Sequence, residues 1–426
     1  MASTRRRGSA TGHPSSGSGA GPGALLEILR ASNGLTTREL IDRSGLARAT
    51  VESRLARLVA AGFVTRGVQD RRTGRPPRLF SFNESGAVVV AVDVAVNRTS
   101  VALANLSGEI LATADSDIEV GAGPGLVLGD VASRLRHLLS REHFDPTLVM
   151  GVAIGVPSTV DLSGEMARPP ASDMPGLRTQ WANVRIAREV RAFLPALGMR
   201  SIPVVVDNRA NCLALGVWRT SWPEARDLVV VSLDMSLACG IISNGGILRG
   251  AHGMAGDLAH IPDASSPVRC VCGQKGCASA LASGQGIVRL LGERHVDVHA
   301  IGDILRLADA GDEQVIELLK SGARRLGIVV GSAISTLDPE LVVLGGALVE
   351  GLPWMAEEIR QVALARVHPL VSAGTGVLGT PIDPAVGLVG AARLALAEAL
   401  DPVQVDSVLD QGIVLPFSSG GRSRTG

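Results

Sequence analysis

Gly256-Asp257-Leu258-Ala259-His260, then nine intervening residues, then Cys270-Val271-Cys272-Gly273-Gln274-Lys275-Gly276-Cys277: the rest of the chain is organised around this stretch. Three of the five cysteines fall within eight residues of one another, and His260 stands just upstream. Thiolates with an imidazole suit a tetrahedral Zn²⁺, which in its closed structural form takes four such ligands. The intervening segment is rich in Pro, Asp and Ser and has little to bury, so a metal held only by the folded form would supply its cross-link. A set of redox thiols is the competing reading. Cys-x-Cys is not the redox Cys-x-x-Cys spacing, however, and a redox pair has no need of His260. The expectation is a structural Zn²⁺ on His260, Cys270, Cys272 and Cys277.

At 426 residues the chain is long enough for about three folding units. Hydrophobic content is 46% and aromatic content 2%, so the cores are aliphatic. No run approaches the roughly 18 to 20 apolar residues of a membrane span. Arg5 to Arg7 lead into Gly and Ser rather than a secretory apolar region. Few, clustered cysteines fit a reducing compartment. These features together point to a soluble cytoplasmic protein. Net charge is zero, but residues 1–80 hold 14 Arg against 5 Asp and Glu. Most of that excess lies beyond the Gly/Ser-rich residues 1–22, which are expected to be disordered. An asymmetry of this kind marks one end of the chain as the partner of a polyanion.

That end has the pattern of a helix-turn-helix. Leu25, Leu26, Ile28 and Leu29 mark a first amphipathic helix, Thr36 or Thr37 caps a second, and Ser44-Gly45-Leu46 turns into a third from about Ala47 to Ala61. Val51, Leu55, Leu58 and Val59 form the third helix's apolar face, leaving Arg48, Ala49, Thr50, Ser53 and Arg57 for a major groove and Arg54 for a phosphate. Strand-like pieces at 63–68 and 78–82 flank the basic loop Gln69 to Pro77, which is expected to act as a wing. There Arg72, Gly74 and Arg75 form a slim extended tip suited to a narrow minor groove. The expected partner is double-stranded operator DNA.

Beyond Ser85 strands and helices alternate, the mark of an α/β body. A strand over 87–96, a second over 99–105 and a third over 109–114 recur as 227–237, 240–243 and 247–248, each set opening on a strand that holds an acid, Asp93 or Asp234. A unit used twice, about 140 residues apart, predicts two related lobes. The domain reading is a disordered tail at 1–22, a winged helix-turn-helix at 23–82, a first lobe at 83–205 with 390–416, a second lobe with the zinc loop at 206–389, and a tail at 417–426.

Arg249-Gly250-Ala251-His252-Gly253-Met254-Ala255-Gly256-Asp257-Leu258-Ala259-His260, followed by the cysteine cluster, resembles the ROK family, whose name joins repressors, open reading frames and sugar kinases. The resemblance spans about Ala24 to Leu400, and the winged helix places it in the repressor branch. It implies an actin-like (ribonuclease H-like) fold of two α/β lobes with a sugar or nucleotide cleft between them, a structural zinc, and a homodimer or homotetramer. The kinases of the family carry an Asp-x-Gly-Gly-Thr phosphate loop, where this chain has Asp93-Val94-Ala95-Val96-Asn97. Their second Gly-rich loop falls on Asp234-Met235-Ser236-Leu237-Ala238-Cys239-Gly240. Their catalytic base falls on Arg209 in Asp207-Asn208-Arg209-Ala210-Asn211, and a guanidinium, with pKa above ~12, cannot act as a base. The resemblance therefore implies an enzyme ancestry without the enzyme.

The family's sugar contacts fall on Asp173, Asn208, Asp257 and His260. A further family Glu is replaced by Ser279, and Asp257 is one methylene shorter than the usual Glu. Arg209 has two readings, a grip on an anionic effector such as a sugar phosphate or sugar acid, or an ion pair with Asp207 or Asp234. The function expected is a sequence-specific repressor of carbohydrate-related genes that answers to a sugar-derived ligand. A ligand-independent regulator that uses the body only to dimerise, and an active sugar kinase, are the alternatives.

Overall fold

A computed structural model describes residues 21–68, 78–165, 180–181, 184–383 and 385–416. The wing residues Arg72, Gly74 and Arg75, the expected sugar contact Asp173, and both terminal tails but for 21–22 lie outside them. The described chain forms two compact units, Met1–Ala87 with Ala397–Gly426, and Val88–Leu396.

In the first unit α1 (Pro22–Arg30), β1 (Leu35–Thr36), α2 (Thr37–Ser44), α3 (Arg48–Ala60), β2 (Val64–Val68) and β3 (Arg78–Phe82) make a winged helix-turn-helix. Its sheet runs β1-β3-β2, antiparallel throughout. A capping box starts α2: Thr36 Oγ1 accepts from the Glu39 amide at 3.3 Å while Glu39 accepts from the Thr36 amide at 2.7 Å. Gly45 ends α2 in the left-handed region at φ 66°, the turn that releases α3 at a new angle. Leu25, Leu26, Leu29, Leu40, Val51, Leu55 and Leu58 are all buried, as their helical spacing requires.

The last helix among the described residues, Pro402–Asp410, packs in this unit too. Asp406 accepts from the Gly23 amide at 2.8 Å, the Leu415 amide donates to Ala61 O at 2.9 Å, and Asn83 Nδ2 donates to Gly62 O and Pro416 O at 2.7 and 3.0 Å. The expectation that 390–416 completes the first lobe therefore fails from Ala397 onward. These residues pair with partners as many as 383 positions away, which no local pattern in the sequence encodes.

The second unit contains β4 (Val88–Val94), β5 (Thr99–Asn105), β6 (Ile110–Ser116), α4 (Pro124–Arg141), β7 (Val149–Val156), α5 (Ile186–Phe193), β8 (Val204–Asn208), α6 (Arg209–Ser221), β9 (Leu228–Leu233), β10 (Leu237–Ser243), β11 (Gly246–Ile247), α7 (Ala278–Ala282), α8 (Gly284–Gly292), α9 (Ile301–Asp309), α10 (Glu313–Leu337), β12 (Leu341–Gly345), α11 (Ala347–Gly351), α12 (Pro353–Leu364), α13 (Pro369–Gly374), β13 (Gly376–Gly379) and α14 (Val386–Ala399). Its two five-stranded sheets run β6-β5-β4-β7-β8 and β11-β10-β9-β12-β13. Each has an antiparallel meander on one side of its first strand, β4 or β9, and parallel strands on the other. The repeated unit in the sequence is thus a repeated sheet. β4 is buried along its whole length, which explains its unbroken Val/Ala run. Each sheet has its own aliphatic core. One detail differs: β9 ends at Leu233, so Asp234 lies in the following turn and not inside the strand like Asp93. Helix α6 packs against β7 and β8 of one sheet and β9 and β10 of the other, so its first residue, Arg209, sits at the junction.

Candidate functional site

In the winged helix, α3 leaves Arg48, Ala49, Ser53 and Arg57 exposed and Thr50 and Arg54 half-buried. Small side chains along this face let the helix backbone come close to a groove floor, as base-edge readout needs. Arg48 is paired with Glu52 at 2.8 Å, one turn along the helix. Arg57 Nη2 meets Asp410 Oδ1 at 2.7 Å, a partner on the last helix that sequence reasoning missed.

In the body, the loop that opened the sequence reading closes on itself. Arg269 and Lys275 form an isolated antiparallel bridge, as do Pro262 and Cys277. The Cys270 amide donates to Gln274 O at 2.8 Å and the Asp263 amide to Gly276 O at 2.8 Å. Arg325 of α10 clasps the loop from outside through Asp263 and Ser265. His260, Cys270, Cys272 and Cys277 converge, with their ligand atoms all within 4.8 Å of one another. Cys270 Sγ lies 3.6 Å from His260 Nδ1, and Cys272 Sγ 3.5 Å from Cys277 Sγ. Zinc bonds of about 2.0 to 2.3 Å at tetrahedral angles put ligand atoms roughly this far apart, so the four residues fit a metal. Burial, with the neighbouring thiols, pushes the Cys277 pKa well up, and burial raises that of Cys270. A bound cation would favour thiolates there.

At the junction Arg209 Nε donates to Asp93 at 2.8 and 3.1 Å. The expected partners were Asp207 or Asp234, and both are otherwise engaged. Asp207 is held by Arg249 at 2.8 Å, by Asn211 Nδ2 at 2.6 Å and by the Asn208 amide at 2.7 Å. Asp234 accepts from the Ser232 hydroxyl at 2.6 Å and from the Ala347 amide at 2.9 Å. Gly346, at φ 93°, is needed for that last contact, because a Cβ on it would lie 2.8 Å from Asp234 Oδ2. Burial works against the Arg209 charge, but the Asp93 carboxylate more than offsets it and holds its pKa above the ordinary value. Asn208 Oδ1 is spent capping α6, accepting from the Ala210 amide at 2.9 Å. Burial raises the Asp257 pKa, with His260 partly opposing. Arg249 was not singled out in the sequence. Its place in the Arg249–His260 run was its only signal.

Residues 89–398 match the ROK family model and residues 23–65 a winged helix-turn-helix DNA-binding model. The chain is 24% identical over 384 residues to a xylose repressor of Bacillus spizizenii, covering 89% of this chain and 96% of that one. It is 27% identical over 319 residues to a glucokinase of Halalkalibacterium halodurans, covering 71% and 92%. A solved ROK family transcriptional regulator, described as a homologue of the Escherichia coli MLC protein, superposes with a TM-score of 0.74 at 22% identity, over 91% of this chain and 98% of that one. With its family model spanning both sheets and a winged helix-turn-helix ahead of it, the chain belongs to the ROK family.

Proposed function

We propose that the protein is a sequence-specific DNA-binding transcriptional regulator, a repressor of carbohydrate-related genes, in which a ligand at the junction of the two sheets alters operator binding. The observation that carries this reading is the outward face of α3, with Arg48, Ala49, Ser53 and Arg57 exposed and Thr50 and Arg54 half-buried, on a helix-turn-helix whose α2 is capped. The repressor relative spans nearly the whole chain, winged helix included. In this reading α3 enters a major groove, and the basic residues of the 69–77 loop meet the flanking backbone or minor groove. Two copies in a homodimer would place their α3 helices on half-sites one turn of DNA apart, about 34 to 36 Å. An effector changes that spacing only by binding one state more tightly than another.

Phosphoryl transfer is not part of this function. The position of the catalytic base is an arginine committed to Asp93, and the turn at Asp234 sets a carboxylate against the Ala347 amide, where a phosphate would be repelled. His260, Cys270, Cys272 and Cys277 would hold a structural Zn²⁺, whose contribution is to cross-link the loop.

Selection of binding sites from random DNA, followed by footprinting, tests the proposal. Recovery of a two-fold symmetric site protected over two half-sites is expected. Failure to enrich any sequence overturns it. Incubation with ATP and a panel of sugars should give no sugar phosphate.

A further inference from the structure

Two ion pairs at the junction have the same polarity. Asp93 and Asp207 keep only 8% and 6% of their side-chain surface, while their partners Arg209 and Arg249 keep 32% and 34%. The carboxylates are enclosed and the guanidinium groups reach outward. The two pairs are neighbours, since Asp93 of β4 and Asp207 of β8 both register with Gly155 on the intervening strand β7. Cys212 and the Arg209 backbone also meet at one point of β7, where a Cβ on Gly155 would lie 3.0 Å from Cys212 Sγ and 3.5 Å from Arg209 Cα.

The donors are unevenly used. A guanidinium has five N–H groups and no acceptor. Arg209 spends only Nε, on Asp93, and its two terminal amino groups donate to nothing among the described residues. Arg249 spends Nε and Nη2 on one oxygen of Asp207, leaving Nη1. Asp234 lies near enough to favour the Arg209 charge, but its oxygens are taken by Ser232 and Ala347. The unused guanidinium N–H groups offer donors and no acceptor, which suits a partner rich in acceptors. A sugar hydroxyl could accept there through a lone pair but would gain only a neutral hydrogen bond, whereas a phosphate or carboxylate accepts charge-assisted bonds from both guanidinium forks.

We propose that Arg209 and Arg249 form an anion subsite at the junction of the two sheets, and that the effector is a sugar derivative bearing a phosphate or a carboxylate. This deepens the effector-responsive reading above and rests on it. Asp93 and Asp207 orient the two guanidinium groups and remove most of the cost of burying them, while the outer N–H groups stay free for the ligand.

Calorimetry on the full chain with inorganic phosphate, glucose 6-phosphate, gluconate and glucose tests the inference. At least one of the anionic probes is expected to bind well above glucose. Arg209→Gln or Arg249→Gln should weaken that binding roughly 10- to 100-fold, the worth of a charge-assisted hydrogen bond. Because either change strands a buried carboxylate, the double variant Asp93→Asn with Arg209→Gln, which removes the charge pair together, provides the second measurement. A response to phosphate and glucose 6-phosphate identifies a phosphate ligand, and one to gluconate alone a carboxylate. Glucose binding as tightly as the anions, no anion binding at all, or equal anion affinity in wild type and variants would overturn the subsite. Operator binding by the wild-type protein, followed in parallel by gel shift, separates this outcome from failure of the regulator reading.

Discussion

Arg209 and Asp93, 116 positions apart, share a hydrogen bond of 2.8 Å at the junction of the two sheets. The arginine opens the helix that packs on both sheets, and the carboxylate is enclosed inside β4. Removing the cation would leave a buried charge with no side-chain partner among the described residues. Arg209→Ala is therefore expected to lower stability by about 3 to 5 kcal/mol, whereas Asp93→Asn with Arg209→Gln should recover much of that loss. Chemical denaturation of the three proteins checks this. Equal stability of the single and double variants would show that the pair is not coupled.

The cysteine loop should depend on its metal. Chelation, or Cys272→Ser, is expected to lower the melting temperature of the body, because binding free energy to the folded loop is folding free energy. Zinc content by elemental analysis should fall from one ion per chain to a small fraction. Operator binding should fall less than any ligand response, since α3 lies in the other compact unit. A melting temperature unmoved by chelation would count against a structural metal.

On α3 the two arginines should behave differently. Arg54→Ala is expected to weaken binding about equally across DNA sequences and to reduce the salt slope by about one. Arg57 is held at 2.7 Å by Asp410, an exposed pair of the kind worth at most about 1 kcal/mol. Asp410→Asn should therefore free Arg57 for phosphate and tighten DNA binding by no more than about fivefold. Titrations at several salt concentrations read both effects.

The start of α2 has a pH dependence with a defined sign. The Thr36 amide and then its hydroxyl hold the Glu39 carboxyl below the ordinary carboxylate range. Its contribution is present above the unfolded pKa and is lost as pH falls through the lowered folded value. Thr36→Ala should cost about 1 kcal/mol at neutral pH. Glu39→Gln should remove that part of the acid dependence, which denaturation of the protein between pH 3 and 6 would reveal.

Local chemistry was legible without any structure. Thr36 three residues before Glu39, Gly45 after α2, the helical spacing of Val51, Leu55 and Leu58, and the spacing of His260, Cys270, Cys272 and Cys277 each state their geometry within a few turns of chain. The repeated strand pattern likewise announced two related sheets, because alternation and β-branching act over single strands. Tertiary structure alone decided which acid Arg209 meets, since three aspartates were near it in sequence or in pattern and only the sheet junction selects among them. It also decided that Arg249 takes Asp207, that Asp234 falls outside its strand, and that the last helix belongs with the winged helix. Ion pairs and helix docking are set by where distant elements bring their charges and apolar faces together, and a sequence records the groups but not the meeting.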